Sequence, residues 1–311
     1  MESKLFIISG ASQGLGLSIA NKVHDKGANV IILARSADKL KLIVESHKKD
    51  KKRPNQFTIS YPIDLTKENE IVIFKEWLIE NEYIPDNIIC CAGSSIPKLF
   101  SDLTLEELRQ GLNLNYLTAA YLLHSTLPIM EKSFKNDKIN RKAIIISSSV
   151  AFYPFIGYSQ YNPSKAALKS LADTLQHEFG NRGINIHTVY PGNFDSPGYK
   201  EENLTKPEIT KEIEGGSIAI SVDTCAEIIL NDIFTNGFKK FFWPNGKRYI
   251  FTDLLGWLMF TFSMGFSARD FFGIEILFAI IGSIIARFID IWHVYLIGKW
   301  FAKKERNDKS N

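Results

Sequence analysis

A tyrosine and a lysine four positions apart, Tyr161 and Lys165 in the run YNPSK, are the residues of this 311-residue chain best spaced for acid–base chemistry. On a helix, positions i and i+4 share a face, so both side chains can reach one site. Pro163 falls where a helix start tolerates a missing N–H. A free tyrosine ionises near pH ~10, too high for an effective catalyst at neutrality. An ammonium alongside favours tyrosinate, and Lys165 is expected to lower the phenol's pKa in this way. Ser148 precedes the tyrosine by 13 residues, at the end of an apolar strand. There its hydroxyl could hydrogen-bond a substrate carbonyl and support developing negative charge. Ser147 and Ser149 compete for that role, but strand alternation turns both away from the face of Ser148. Asn115, in a helix predicted over 104–132, could hold a water for proton relay, with Asn113 as the competing candidate. A Tyr-x-x-x-Lys pair alone is usually a solvated helix face; the serine-bearing strand before it gives it weight.

Chemistry of this kind needs a partner for the carbonyl carbon, and the N-terminal turn supplies a place for one. The run SGASQGLG carries Gly10, Gly14 and Gly16 between a strand and a helix. Side chains there would obstruct a pyrophosphate, whereas the helix N-terminus offers it free N–H groups and a favourable dipole. Dinucleotide enzymes that use NAD place an acid at the end of the second strand for the ribose 2′-hydroxyl. Here that strand ends in Ala34-Arg35-Ser36. An acid would repel a 2′-phosphate and an arginine can grip it, so NADPH is the expected cofactor. Ser12 could add a donor, and Gln13 and Lys39 belong to the same set. Asp64-Leu65, after the third strand, is placed to meet the adenine. Cys91-Ala92-Gly93, after the fourth, lets the chain pass close to the cofactor. Ordinary turn chemistry is the competing reading of both.

The elements that would position these residues alternate along the chain. Strands are expected at 4–9, 29–34, 57–61, 87–91, 143–148 and 185–190, with helices at 14–26, 67–82, 104–132 and 163–181. Near-continuous apolar strands alternating with helices imply an α/β fold, a doubly wound parallel sheet of Rossmann type in a single domain. Residues 47–54 (HKKDKKRP) read as a basic surface turn and 132–142 as a charged connection. A net charge of +3 is too small for a nucleic-acid binder, so no nucleic-acid partner is expected. The cysteines Cys90, Cys91 and Cys225 make poor disulfide partners, no His/Cys spacing suggests a metal, and a reducing compartment fits. The N-terminus does not read as a signal peptide.

Composition changes after residue 245. Residues 249–264, 271–286 and 288–301 are strongly apolar, although each of the first two is shorter than the ~20 residues of a full span and holds one acid, Asp253 or Glu275. Lys239, Lys240, Lys247 and Arg248 precede the region, and Lys299, Lys303, Lys304 and Arg306 close it. Trp257, Trp292 and Trp300 could anchor at an interface, and basic flanks on both sides place both ends in the cytosol. The expectation is a catalytic domain over 1–245 and an apolar, membrane-associating helical tail over 246–311. A soluble core helix or an oligomer interface is the competing reading.

Taken together these runs resemble the short-chain dehydrogenases/reductases over residues 1–235. The likeness rests on SGASQGLG (9–16), CAG (91–93), LNLNYLTAAY (112–121), ISSS (146–149), YNPSK (161–165) and YPGNFDSPG (190–198). It implies Tyr161 as acid–base, Lys165 as its assistant and ribose ligand, Ser148 as carbonyl stabiliser and Asn115 as relay anchor. It also sets Pro191, Gly192 and Ser196 beside the nicotinamide, and implies a homodimer or homotetramer built on helices 104–132 and 163–181. Within the family, ARSADKL (34–40), LNYLTAAY (114–121), NFDSPGYKEENLTKP (193–207) and the apolar tail are similar to the 3-ketodihydrosphingosine reductase branch. That implies NADPH-dependent reduction of a long-chain keto base to sphinganine, at the endoplasmic reticulum membrane with the catalytic domain facing the cytosol, and a segment 193–217 that orders over substrate. Another lipophilic carbonyl, a retinoid, steroid or acyl chain, remains open as the substrate. A catalytically silent nucleotide-binding regulator is disfavoured by the intact Ser148, Tyr161 and Lys165. Two departures stand out. Cys91 replaces the Asn of many relatives, which puts that strand contact in question, and Ser9 replaces a frequent Thr but keeps a hydroxyl.

Overall fold

The central strands of the main sheet carry apolar runs, and the computed structural model, which describes residues 1–215, 218–234, 246–263 and 272–308, shows why. Along β1 (Leu5–Ser9), Leu5 and Ile7 pack on one face of the sheet while Phe6 and Ile8 pack on the other. Both faces are covered by helices, so neither side chain of a strand pair meets water. The chain continues through α1 (Gly14–Asp25), β2 (Asn29–Ala34), α2 (Ala37–Lys49), β3 (Thr58–Pro62), α3 (Glu68–Glu80) and β4 (Asn87–Cys90). Then come α4 (Leu105–Leu112), a π-helical turn (Asn113–Leu117), α5 (Thr118–Asp137), β5 (Arg141–Ile146), α6 (Asn162–Phe179) and β6 (Ile184–Tyr190). A strand β7 (Phe194–Asp195), helices α7 (Pro197–Thr205) and α8 (Glu208–Glu214), strand β8 (Ile220–Ser221) and α9 (Val222–Ile233) follow. The chain ends with β9 (Tyr249–Phe251), α10 (Leu254–Ser263) and α11 (Phe272–Asp308).

The seven-stranded sheet runs β3-β2-β1-β4-β5-β6-β9, parallel throughout, and β7 pairs with β8 as a separate ribbon. The chain works outward from β1 to β3, then crosses back to β4. This switch opens a crevice beyond the strand ends at β1 and β4, where ligands bind in such sheets.

Several expectations are revised. The helix expected over 104–132 is two helices, α4 and α5, joined by the π-turn, and α5 runs on to Asp137, into the stretch taken as a connection. The segment 193–217 is built as β7, α7 and α8 rather than as open loop, with 216–217 outside the described residues. Strand β5 ends at Ile146, two residues before Ser148. The sheet also takes in 249–251, beyond the expected boundary at 245: Tyr249, Ile250 and Phe251 pair with Thr188, Val189 and Tyr190. The stretches 271–286 and 288–301 lie on one helix, α11; Phe271 itself, Met264, Lys239 and Lys240 fall outside the described residues. Among the described residues no helix is long and apolar enough to cross a membrane. Glu275, Arg287, Asp290 and Lys299 recur along α11 and break its apolar run.

The seam between β6 and the chain entering β9 is closed by a buried histidine. His187 Nδ1 donates to the Lys247 carbonyl at 2.6 Å, and burial beside Lys142 lowers its pKa to about 3. The unfolded chain, with an ordinary histidine, takes up the proton first. The neutral ring's contribution to stability is therefore full above pH ~6.5 and is lost progressively as pH falls toward the folded value. We expect the melting temperature to drop between pH 7 and pH 5, and the drop to be smaller in His187→Gln, as differential scanning fluorimetry would report.

Candidate active site

The glycine turn is shaped by contacts that exclude side chains. Gly10 has φ +67°, and a Cβ there would lie 2.9 Å from the Ala92 nitrogen; a Cβ on Gly16 would meet the Gly10 carbonyl oxygen at 2.4 Å. Helix α1 starts behind Gln13, whose side chain does not cap it, and has no acid in its first turn. Its first N–H groups are left for an anion. Ser9 settles the contact that Cys91 had put in question. Its Oγ accepts from the N–H groups of Cys91 (3.0 Å) and Ala92 (3.2 Å), so the end of β4 is held through backbone rather than through the side chain at 91.

Arg35, Ser36 and Lys39 stand at the cavity mouth beside Ser12 and Gln13, and Lys39 Nζ donates to Gln13 Oε1 at 3.1 Å. Ser36 is the N-cap of α2 and makes no capping bond, leaving a second open helix start between two cations. The Asp64 carboxylate accepts from the Thr66 N–H (3.1 Å) and hydroxyl (2.7 Å). Burial would raise its pKa, but those bonds and the charge of Arg35 hold it below the ordinary value. Leu65 and Gly93 line the same cavity, as do Pro191 and Ser196. Ser196 caps α7, accepting from the Tyr199 N–H at 3.1 Å, and its Cβ sits 3.5 Å from where a Cβ on Gly14 would be.

Tyr161 and Lys165 meet as the i, i+4 spacing requires, at the start of α6. Lys165 is 4% exposed, donates from Nζ to the Ile146 carbonyl at 3.0 Å, and stands 5.2 Å from the centre of the Tyr161 ring. Ser147 points into α6 and donates to the Lys165 carbonyl at 2.9 Å, while Ser148 hydrogen-bonds the Tyr161 phenol. The alternation 147-in, 148-out survives past the end of β5 because Ser148 is still extended, with φ −164° and ψ 155°, before the chain turns. The expected lowering of the tyrosine pKa is overturned. Burial pushes the phenol well above its ordinary value, the charge of Glu202 adds to this, and the Ser148 bond opposes it. Burial also brings Lys165 down to about 8. In this surrounding the desolvation of tyrosinate sets the direction of the shift.

Asn115 is fully buried in the π-turn, behind the cavity wall. Its Oδ1 accepts from the Ser94 N–H (3.0 Å), and Nδ2 donates to the carbonyls of Ser94 (2.8 Å) and Gly111 (3.0 Å). The extra residue of a π-turn swings one side chain out of helical register, and such turns gather at functional sites. Neither Asn115 nor Asn113, two residues earlier, lines the cavity itself, and it is Asn115 that binds the Ser94 backbone beside Gly93.

The cavity measures about 920 Å³ and extends from the glycine turn past Tyr161 to a wall of Val150, Tyr153, Phe155, Tyr158, Ile213, Leu255 and Met259. Sequence reading missed this wall. The aromatic run AFYPF (151–155), straight after Val150, and the i, i+4 pair Leu255 and Met259 were its traces. It also missed Glu202, Lys206 and Glu214, which line or back the same wall.

A crevice at the sheet's switch point, a glycine turn at its edge leading into an uncapped helix start, and a Ser–Tyr–Lys set around one cavity define a nucleotide-dependent oxidoreductase. The chain belongs to the short-chain dehydrogenase/reductase family, whose short chain dehydrogenase profile matches residues 4–207. It is 40% identical over 291 residues to the 3-ketodihydrosphingosine reductase TSC10 of Debaryomyces hansenii, covering 92% of this chain and 85% of that one. It is 32% identical over 329 residues to the protein of the same name from Saccharomyces cerevisiae, covering 98% and 97%. Of solved structures, a short-chain dehydrogenase from Sphingobium yanoikuyae in complex with NADPH superposes with a TM-score of 0.67 at 20% identity, over 81% of this chain and 88% of that one. L-sorbose reductase from Gluconobacter frateurii, complexed with NADPH and L-sorbose, gives 0.65 at 20% identity over 81% and 96%.

Proposed function

We propose that this enzyme reduces the ketone of 3-ketodihydrosphingosine to the alcohol of sphinganine, using NADPH. The observation that carries the reading is the run of one cavity from the glycine turn, past Ser148 and Tyr161, to an apolar wall able to take a long chain. The names of the relatives supply the substrate. The residues fit the cofactor: Gly10, Gly14 and Gly16 line the cavity without side chains, and both α1 and α2 start uncapped beside it. Gly10, Ser12, Gln13, Gly14 and Gly16 would hold the pyrophosphate, Arg35 and Lys39 the 2′-phosphate, Asp64 and Leu65 the adenine, and Gly93, Lys165, Pro191 and Ser196 the nicotinamide half. NADPH supplies the hydride when bound.

The protein's own part is to hold the carbonyl and deliver a proton. Ser148 and Tyr161 donate hydrogen bonds to the substrate oxygen, polarising the carbon. The raised pKa of Tyr161 keeps the phenol protonated, which is the form a ketone reduction needs as general acid. Lys165, pinned by the Ile146 carbonyl, orients that ring from behind. Asn115 has both N–H donors committed to backbone, leaving one lone pair of Oδ1 to hold a water for proton resupply. The test is NADPH oxidation by detergent-solubilised protein with 3-ketodihydrosphingosine, beside a short-chain ketone. Turnover of the short ketone alone would overturn the substrate assignment. For the cofactor, Arg35→Ala should raise the KM for NADPH about tenfold, in line with loss of a charge-assisted bond, and leave that for NADH nearly unchanged; initial-rate measurements with both cofactors report this.

The tail is proposed to rest on the cytosolic face of the endoplasmic reticulum membrane. Leu277, Ile280, Phe288, Trp292 and Tyr295 of α11 and Leu254 of α10 are exposed, and Lys303 and Arg306 follow near the end of α11. An apolar face with basic neighbours suits a helix lying in the headgroup region. Residues 1–263, rather than 1–245, then make up the catalytic body. Assembly through α5 and α6 into a homodimer or homotetramer completes the proposal.

A further inference from the structure

Charged groups are scarce in a cavity meant for a long apolar chain, so the carboxylates in its wall call for an explanation. Glu202 on α7 and Glu214 at the end of α8 flank Lys206, whose side chain is wholly buried, with Nζ 3.1 Å from Glu202 Oε1 and 2.6 Å from Glu214 Oε2. Burial alone would lower the lysine's pKa, but the bonds and charge of the two glutamates raise it. The lysine is therefore a fixed cation, and the trio keeps one negative charge over. The two carboxylates are not equivalent. Glu214 spends its other oxygen on Asn193 Nδ2 at 2.8 Å. Glu202 takes the Tyr158 hydroxyl on Oε1 at 2.5 Å, on the same oxygen that faces Lys206, and its Oε2 has no hydrogen-bond partner among the described residues. Its side chain is 17% exposed, it lines the cavity, and its charge is felt at the Tyr161 phenol.

We propose that Glu202 is the anchor for the substrate's ammonium group, with Lys206 and Tyr158 fixing its carboxylate; this rests on the keto-base reading above. In that substrate the amine sits on the carbon next to the ketone. When the carbonyl oxygen lies against Ser148 and Tyr161, the ammonium lies within a few ångströms of the phenol, in the cavity that Glu202 also lines. A partly buried carboxylate bonds an ammonium about twice as strongly as a neutral pair would. A ketone lacking the amine leaves that charge unanswered, which is how a buried polar site rejects a near-isostere. Glu201 and Asp253 also border the cavity, Asp253 with its Oδ1 accepting from the Gly256 N–H at 2.6 Å at the start of α10, but it is Glu202 that a buried lysine and a tyrosine hold in place.

The test compares kcat/KM for 3-ketodihydrosphingosine with that for the same-length 1-hydroxy-3-ketone lacking the 2-amino group, using the full chain in detergent with NADPH. The wild type should prefer the amine by about 100-fold, and Glu202→Gln should cut that ratio at least tenfold, with Asp253→Asn leaving it in place. A purely structural role for Glu202 would lower both rates together and leave the ratio unmoved, which would overturn the proposal. So would equal use of the two ketones by the wild type, or a ratio lost in Asp253→Asn and kept in Glu202→Gln. If Glu202→Gln melts with the wild-type midpoint gone, Tyr158→Phe carries the test through the same carboxylate, and an unchanged ratio there overturns it. Turnover of neither long-chain ketone, or of the amine-free one alone, sinks the keto-base reading itself.

Discussion

Tyr161→Phe lowers kcat for the keto base by about 10³-fold, within the range of ~10²–10⁴ that a positioned general acid contributes. The phenol's hydrogen bond runs to Ser148, and its ring keeps its place beside Lys165 and Tyr158. The variant should therefore fold, and should bind NADPH with a dissociation constant within about threefold of the wild type's, read from nucleotide fluorescence. Ser148→Ala removes one hydrogen bond to the developing alkoxide and should cost about 10²-fold. The contrast is diagnostic. A regulator that only senses nucleotide would keep its output in Tyr161→Phe, whereas an enzyme loses nearly all of its turnover with its cofactor still bound.

Ending the chain at residue 245 removes the protein's ability to fold. The tail is then not an appendage that a deletion can take away cleanly. Strand β9 closes the sheet on β6, and Tyr249, Ile250 and Phe260 are buried. Tyr190, fully buried, stacks 5.6 Å from Phe251, and Tyr249 packs 4.9 Å from Phe260. Tyr249 also donates to Asp173 of the catalytic helix α6 at 2.7 Å. Losing one large aromatic costs about 3–5 kcal/mol. Losing three together, about 9–15 kcal/mol, is comparable with the ~5–15 kcal/mol that holds a domain folded. A chain ending at Ser263 keeps β9 and α10 and should retain a cooperative melt, while losing the sedimentation with vesicles expected of the full chain. Equal membrane binding by that shorter chain would place the contact outside α11.

The parts of the site legible in the sequence were those whose geometry is local. The glycine turn, the i, i+4 pair of Tyr161 and Lys165, and the opposed facing of Ser147 and Ser148 follow from strand and helix periods alone. The π-turn at Asn113–Leu117 was not legible, because an inserted residue leaves the apolar pattern on either side intact. Strand β9 was hidden inside an apolar run whose membrane-like composition masked three residues of sheet. The Glu202–Lys206–Glu214 trio has the look of solvated helix faces in sequence, and only the fold of α7 and α8 turns it inward. The sign of the tyrosine's pKa shift failed for a related reason. The ammonium neighbour can be read from spacing, but the burial that overrides it belongs to the tertiary structure.

The late arrival of β9 also bears on how the molecule is made. Thr188 of β6 waits for Tyr249 as its partner. During synthesis the outer edge of β6 therefore stays unpaired until some sixty further residues have been added. An open, flat, apolar edge is a template for pairing with another chain. By the time the ribosome has delivered the segment that covers it, α10 and the start of α11 are next to emerge, so completion of the reductase core and exposure of its greasiest surface fall in the same interval of translation. A chaperone or a nearby lipid surface acting at that moment would protect both at once, and slowing elongation after residue 190 should raise the yield of aggregated nascent chain.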